Sequence, residues 1–378
     1  MPFPRNDSGL CPSIWASART FVVSDGGHRR SLLLSTAIVM LAWVAAGQQA
    51  AYAQSVTGAG DLTGGLNSPN WAVGGDLIVG NTSLGALHIA DGGTVGNDTG
   101  FVGNQAGGNG TVSVSGTDGL GNASTWTNNG DLVVGQDGTG TLNITSGGLV
   151  SSATGYIGAG GTVANTVTVS GSSSDGLVST WRNSSDLYVG DAGIGVLNIT
   201  NGGAVSNAIG SIGNQAGSQG SAVVSGSDGS GNLSTWTSAA QLYIGNGGTG
   251  TLTVKGGGQV NSGQGVIGYG AGSSGTVTVT GTDGNGHASA WAPIGNIYVG
   301  FQGAATLNIT DGATVSTSAA GGGAASIYVG YAGSGTGTIT VSSGTADVSR
   351  LSTTDRIELG VGGGTGTMTV DKGGLVHA

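Results

Sequence analysis

The sequence predicts an all-β fold, a parallel β-helix wound from 55-residue two-coil repeats. Three observations predict it. Tryptophans fall at Trp71, Trp126, Trp181, Trp236 and Trp291, every interval being 55 residues. Between them a β-branched residue followed by glycine recurs at intervals alternating between 23 and 32. Within each interval, short pieces such as Thr141-Leu142-Asn143-Ile144 alternate apolar and polar residues, the period of a strand with one buried face.

The paired marker runs through Val79-Gly80, Val102-Gly103, Val134-Gly135, Ile157-Gly158, Val189-Gly190, Ile212-Gly213, Ile244-Gly245, Ile267-Gly268 and Val299-Gly300. It then loosens to intervals of 30 at Val329-Gly330 and Leu359-Gly360, without tryptophan. Each half-repeat carries three short apolar pieces. In one half these are Leu132-Val133-Val134, Thr141–Ile144 and Leu149-Val150; in the next they are Tyr156-Ile157, Thr166–Val169 and Ser179-Thr180-Trp181. Glycine-rich corners separate them, since glycine takes positive φ at little steric cost.

Three strands per half-repeat make one coil of a solenoid. A single coil cannot bury its inner face, but stacked coils can. Eleven markers at ~4.8 Å per coil imply a rod about 50 Å long. The longer half carries nine extra residues near 115–122 and its copies, which predict larger corner loops along one side. Tryptophans two coils apart, roughly 10 Å, cannot stack on one another and are expected to pack or cap corners. A β-sandwich or propeller array is the rival fold, but propeller blades need four longer strands in 40–50 residues.

The expected organisation is therefore a leader over 1–53, a capping segment over 54–70, five repeat modules over 71–345, and a degenerate, truncated last coil over 346–378. In the leader, Arg29 and Arg30 precede a 15-residue apolar stretch, 32–46. Ala51-Tyr52-Ala53 then supplies a small-x-small cleavage pattern before Gln54, the signature of a signal peptide. The alternative, an uncleaved anchor, needs about 20 apolar residues. The long basic stretch ahead of the apolar one resembles the extended signal peptides of large exported bacterial surface proteins. Cys11, the one cysteine, lies in this leader, so the exported body has no thiol.

Composition narrows the function classes. Glycine supplies 82 of 378 residues, about three times the usual share of ~7 %. Five prolines and no Gly-X-Y period exclude collagen. Sparse charge with 37 % hydrophobic residues is unlike a disordered chain. One cysteine excludes a disulfide scaffold. Beyond residue 53 only Arg182, Lys255, Arg350, Arg356 and Lys372 oppose 17 acidic residues, so no nucleic-acid partner is expected.

The run from Leu132 through Gly138-Thr139-Gly140-Thr141-Leu142-Asn143-Ile144-Thr145-Ser146-Gly147-Gly148-Leu149-Val150 resembles a repeat of autotransporter passengers, shared with surface proteins that carry the PEP-CTERM sorting signal. Copies span Leu187–Val205, Leu242–Val260 and Ile297–Val315, with a degenerate one ending at Val376. The resemblance covers roughly residues 75–376. It implies a right-handed parallel β-helix, secreted or displayed on the surface of a Gram-negative bacterium. It also implies an outer-membrane β-barrel translocator as partner. The sequence departs from that pattern by stopping at His377-Ala378 in mid-repeat, with no barrel strands, so the expectation is either a truncated gene product or a partner that supplies the pore.

Candidate chemistry is sparse. Asp76, Asp131 and Asp186 share one repeat position, and Asp118, Asp228 and Asp283 another, with Asp175 offset by two. Asp91 and Asp311 share a third position with Ser146 and Asn201. Acids that recur with the architecture, mostly before glycine, are turn formers rather than a catalytic pair. His88 and His287 replace asparagines of other copies. No zinc ligand set or phosphate loop is present in the sequence. The calcium nonapeptide lacks its aspartate at Gly107-Gly108-Asn109-Gly110. The Asn-x-Thr matches at Asn143, Asn198 and Asn308 fall inside strands. No catalytic, cofactor or metal residue is expected.

The function expected is a non-enzymatic stalk or adhesin-like interaction module. Its candidate face is the row of long-half loops with Trp126, Trp181, Trp236 and Trp291 beside them, the alternative being that these tryptophans only pack the corners. Host-surface or matrix glycans and proteins are the expected partners. A self-associating matrix or biofilm protein is the second reading. A carbohydrate-active enzyme is the third, with Arg350, Asp355, Arg356 and Glu358 as its one non-repeated charged patch.

Overall fold

The computed structural model describes residues 54–378. The leader over 1–53, with Cys11, Ala51 and Ala53, lies outside the described residues, and only Gln54 of the expected cleavage site lies within them. The described chain is a β-solenoid. It holds strands and two short 3-10 turns, and no α-helix. Each coil contributes three strands, for example Leu132–Val134, Thr139–Thr145 and Leu149–Ser152.

The seven-residue strands stack into a twelve-stranded sheet. Eleven of its members are parallel, and the first, Ser55–Gly60, runs antiparallel against Leu84–Ala90. That strand covers the edge of the first coil, with Val56 buried on it. The two kinds of shorter strand form a second, 21-stranded sheet. They join because Thr235–Ile244 and Gln259–Ile267 run unbroken round a corner that interrupts the strand in other coils.

Register keeps like residues on like. Leu142 pairs with Val112 on one side and Val167 on the other, and Ile144 with Val114 and Val169. All six are fully buried. Their polar neighbours, such as Asn143 and Thr168, face outward. The alternation read from sequence is therefore the division between inside and outside.

The marker glycine has a precise steric task. All eleven, from Gly80 to Gly360, sit at φ between 66° and 79°. A Cβ on Gly103 would stand 2.2 Å from the Thr139 carbonyl oxygen of the next coil. The corner both turns left-handed and lets two coils touch through their backbones, which a side chain forbids.

Two interior columns explain why the repeat is two coils long. One runs Val95, Trp126, Val150, Trp181, Val205, Trp236, Val260, Trp291. The column beside it runs Gly100, Leu132, Gly155, Leu187, Gly210, Leu242, Gly265, Ile297. Each indole lies over the glycine of the preceding coil. A Cβ on Gly155 would meet Trp181 Cζ2 at 2.6 Å, and one on Gly265 would meet Trp291 Cζ2 at 2.4 Å. The cross-section alternates large–large with small–small, so a constant volume is filled at every pair of coils. Near the end of the described chain both columns change together. Ile327 takes the place of glycine, and in the next coil Leu351 takes the place of tryptophan.

Candidate functional site

The larger corner loops form a row on the outside of the rod. Each is closed by an antiparallel bridge, Thr117–Ala123, Ser172–Val178, Ser227–Leu233 and Thr282–Ala288. Inside the loop an aspartate holds the turn. Asp118 Oδ1 accepts from the Leu120 and Asn122 amides at 2.9 and 2.8 Å, and Oδ2 accepts from Asn122 Nδ2 at 2.8 Å. Asp228 and Asp283 repeat the arrangement, His287 Nδ1 standing for the asparagine amide at 2.8 Å from Asp283 Oδ2. The second loop uses Ser173 for this role.

Successive loops are also tied to each other. Ser172 Oγ donates to Asp228 Oδ2 at 2.6 Å and Ser227 Oγ to Asp283 Oδ2 at 3.1 Å, while Thr117 Oγ1 donates to Asp175 Oδ2 at 3.0 Å. The contacts around Asp118, Asp228 and Asp283 hold these three carboxyls below their ordinary range. Hydrogen bonds from Asn122 lower the Asp118 carboxyl to about 2. At Asp228 partial burial pushes upward, but bonds from Ser172, Asn232 and Ser230 outweigh it and hold the group at about 2. The His287 contact, with the loop amides, keeps Asp283 well below the ordinary range. Ionised near neutrality, they cannot serve as general acids, and their oxygens are occupied by the turn and inter-loop hydrogen bonds.

The other recurrent acids are equally structural. Asp76, Asp131 and Asp186 accept the backbone amides of Thr99, Thr154 and Ile209 in the following coil, at 3.1–3.2 Å. Asp91, Ser146, Asn201 and Asp311 take φ between 50° and 56° ahead of a left-handed glycine, making the tight turn between strands. His88 shares a hydrogen bond with the Ser113 hydroxyl on the outer face of the long-strand sheet. Arg356 bridges Asp355 and Glu358, while Arg350 lies on another strand, paired between Thr314 and Leu375. Among the described residues no group of three or more His, Cys, Asp or Glu could hold a metal ion.

Beside the loop row runs an open groove of about 580 Å³. Thr180, Arg182, Thr235, Thr237, Gln259 and Asn261 line it, with Val178 and Leu233 of the loops as its wall. Its lining mixes polar and apolar side chains and carries a single cation, Arg182.

The expected tryptophan face is corrected by the structure. Trp126, Trp181, Trp236 and Trp291 are fully buried and offer nothing to a partner. They lie in the interior column, where each indole N–H finds an internal acceptor. Trp126 donates to Asn97 Oδ1 at 2.6 Å and Trp236 to Asn207 Oδ1 at 2.7 Å; Trp181 and Trp291 donate to Ser152 and Ser262 hydroxyls at 3.3 Å. The acceptors belong to a buried polar column that the apolar periodicity does not reveal, linked by Asn97 to Asn128 at 2.8 Å and Ser152 to Asn183 at 2.8 Å. Its sequence signal is an Asn or Ser two residues after the inward Val or Trp, from Val95 to Val260.

A second surface was also missed. Tyr243, Tyr269, Tyr298, Phe301, Tyr328 and Tyr331 form one continuous aromatic plaque over four consecutive coils. Rings stack along the rod, Tyr298 on Tyr328 at 5.1 Å and Phe301 on Tyr331 at 5.1 Å. Across the two columns they meet edge to face, at interplanar angles of 67° to 81°. Tyr156 and Tyr188 stack as a separate pair, with Asp186 and Asp191 close by. The signal was an aromatic just before or just after the marker pair, as in Tyr298-Val299-Gly300-Phe301.

No protein-family model matches the chain, and no curated protein does. Among solved structures, the crystal structure of the TibC-catalysed hyper-glycosylated TibA55–350 fragment aligns over 82 % of this chain and 99 % of that one, at 15 % identity and a TM-score of 0.31. The solenoid assignment rests on the strand pairing described above.

Proposed function

We propose that this chain is an exported, non-enzymatic spacer and adhesin-like interaction module of a bacterial cell surface, delivered by an outer-membrane β-barrel translocator. The observation that supports it is the use of the polar surface groups. The recurrent carboxylates are consumed in holding turns and tying loops to one another, and they present no convergent acid–base pair. What faces solvent is a row of similar loops, an open groove of mixed polar and apolar lining and an aromatic plaque along the stacked-coil core. Such a surface suits repeated weak contacts, whose avidity comes from effective concentration.

Adherence of cells displaying the chain, compared with cells lacking it, tests the reading. Displaying cells are expected to attach more strongly to polysaccharide- or protein-coated surfaces, without release of soluble fragments from the coating. Equal attachment, or turnover of the coating by the purified protein, would sink it.

A further inference from the structure

The plaque stands out because it breaks the repeat. In the column that follows the marker glycine, four of the seven earlier coils carry asparagine, with Asn81 bonded to Asn104 and Asn214 to Asn246, and the other three carry Gln136, Ala159 and Asp191. From Tyr269 the same position becomes Tyr269, Phe301 and Tyr331. The fold is content with asparagine there, so architecture does not demand the aromatics. The neighbouring column likewise accepts Ser211 and Val266 at the rungs where it elsewhere holds tyrosine.

From this geometry we propose that the plaque is a binding platform for a neutral, β-linked hexose polysaccharide. The inference rests on the interaction-module reading and names its ligand class. Three observations favour that occupant. First, shape: along the column of Tyr269, Phe301 and Tyr331 rings recur at one per coil with centroids 5.1 Å apart, a step close to that of a flat β-linked sugar chain. Normals of the two columns differ by 67° to 81°, so at least one column leans off the rod axis by half that angle and shows part of its ring faces. Tyr269 is 42 % exposed. Aromatic faces are the natural partners of the C–H faces of equatorially substituted sugars.

Second, charge: the six plaque positions are uncharged in a chain of net charge −10, and Asn296, bonded to the Tyr298 hydroxyl, adds an amide beside them. Neutral hydroxyls can be met there, whereas a polyuronate would be repelled by the acidic rod. Third, size: six half-buried aromatics expose on the order of 400 Å². A stable protein partner buries about 800 Å² per side. The patch is small for a protein and ample for a few sugar rings.

The test is co-sedimentation of the full-length protein with insoluble cellulose and chitin, with a polyuronate gel in parallel. Retention on at least one neutral polymer and none on the polyuronate is expected. The variant Tyr269→Asn/Phe301→Asn installs the residue the same column already carries at Asn214 and Asn246. It is expected to keep the melting transition and to lose retention at least tenfold. Tyr298→Val, copying Val266, keeps the test open if the first variant misfolds. No retention of the wild-type protein on either neutral polymer overturns the proposal, as does undiminished retention of a folded variant. Loss of cell attachment to protein coatings but not to glucan, in the same variant, also overturns it and assigns the plaque to a protein partner. Cell attachment that is unchanged in the variant leaves the interaction-module reading standing while the plaque proposal falls.

Discussion

Gly155 and Trp181 show how far a single residue is set by another one coil away. The indole occupies the volume that a Gly155 side chain would need, 2.6 Å from the would-be Cβ. Gly155→Ala is therefore expected to destabilise the protein by about 1–3 kcal/mol through overpacking. Combined with Trp181→Leu, the cost should fall below the sum of the two single changes, because Ile327 and Leu351 already show that pairing accepted. Chemical denaturation of the four species measures the coupling. The loop carboxylates yield a second expectation at this scale. Asp118 and Asp228 are held at about 2 in the folded chain, below the ordinary carboxylate value. A lowered folded value means their contribution is fully present above about pH 4. It is lost as pH falls through about 2. Melting temperature should drop across that window, and Asp228→Asn should flatten its share of the drop; a wild-type melt independent of pH there would refute it.

At the scale of the element, a strand of three or four residues has little stability alone, and its place is secured by the columns on either side. Trp236→Ala removes a fully buried indole and leaves Asn207 Oδ1 without its donor. A loss of about 3–5 kcal/mol is expected from the cavity alone, with local amide exchange rising fastest in Thr235–Ile244 and in the coils either side. Element positions were legible in sequence because period-two alternation and marker glycines both report backbone geometry directly. The loop row was legible too, as nine surplus residues in every second coil. The site itself was less so. Beside loop residues, as in Ser124-Thr125-Trp126, a tryptophan reads either as packing the corner or as an anchor on the loop face. Only the inward direction of that strand, set by the register with Val95 and Val150, places it in the core. The plaque escaped notice because its six rings are scattered between positions 243 and 331 and become neighbours only through stacking.

Across the whole molecule, near-identical coils make stability a sum of neighbouring interfaces. Deleting residues 182–236, one complete repeat, should preserve the fold and shorten the rod by ~10 Å, two strand spacings, measurable by small-angle scattering. Deleting residues 127–150 instead should be strongly destabilising. It would set Trp126 and Trp181 on adjacent rungs, where the Trp181 indole needs the space over Gly155 that Trp126 would then adjoin. Equal stability of the two deletions would show that the tryptophan–glycine alternation has no energetic weight. Periodicity alone was enough for the coil, its corners, the eleven-fold stack and the strand faces, because each of these depends on residues close in sequence or at a constant interval. The depth of the tryptophans, the buried Asn–Ser column that satisfies them and the aromatic plaque were decided only in three dimensions. They depend on which coil lies above which and on the direction each side chain takes from a shared rung.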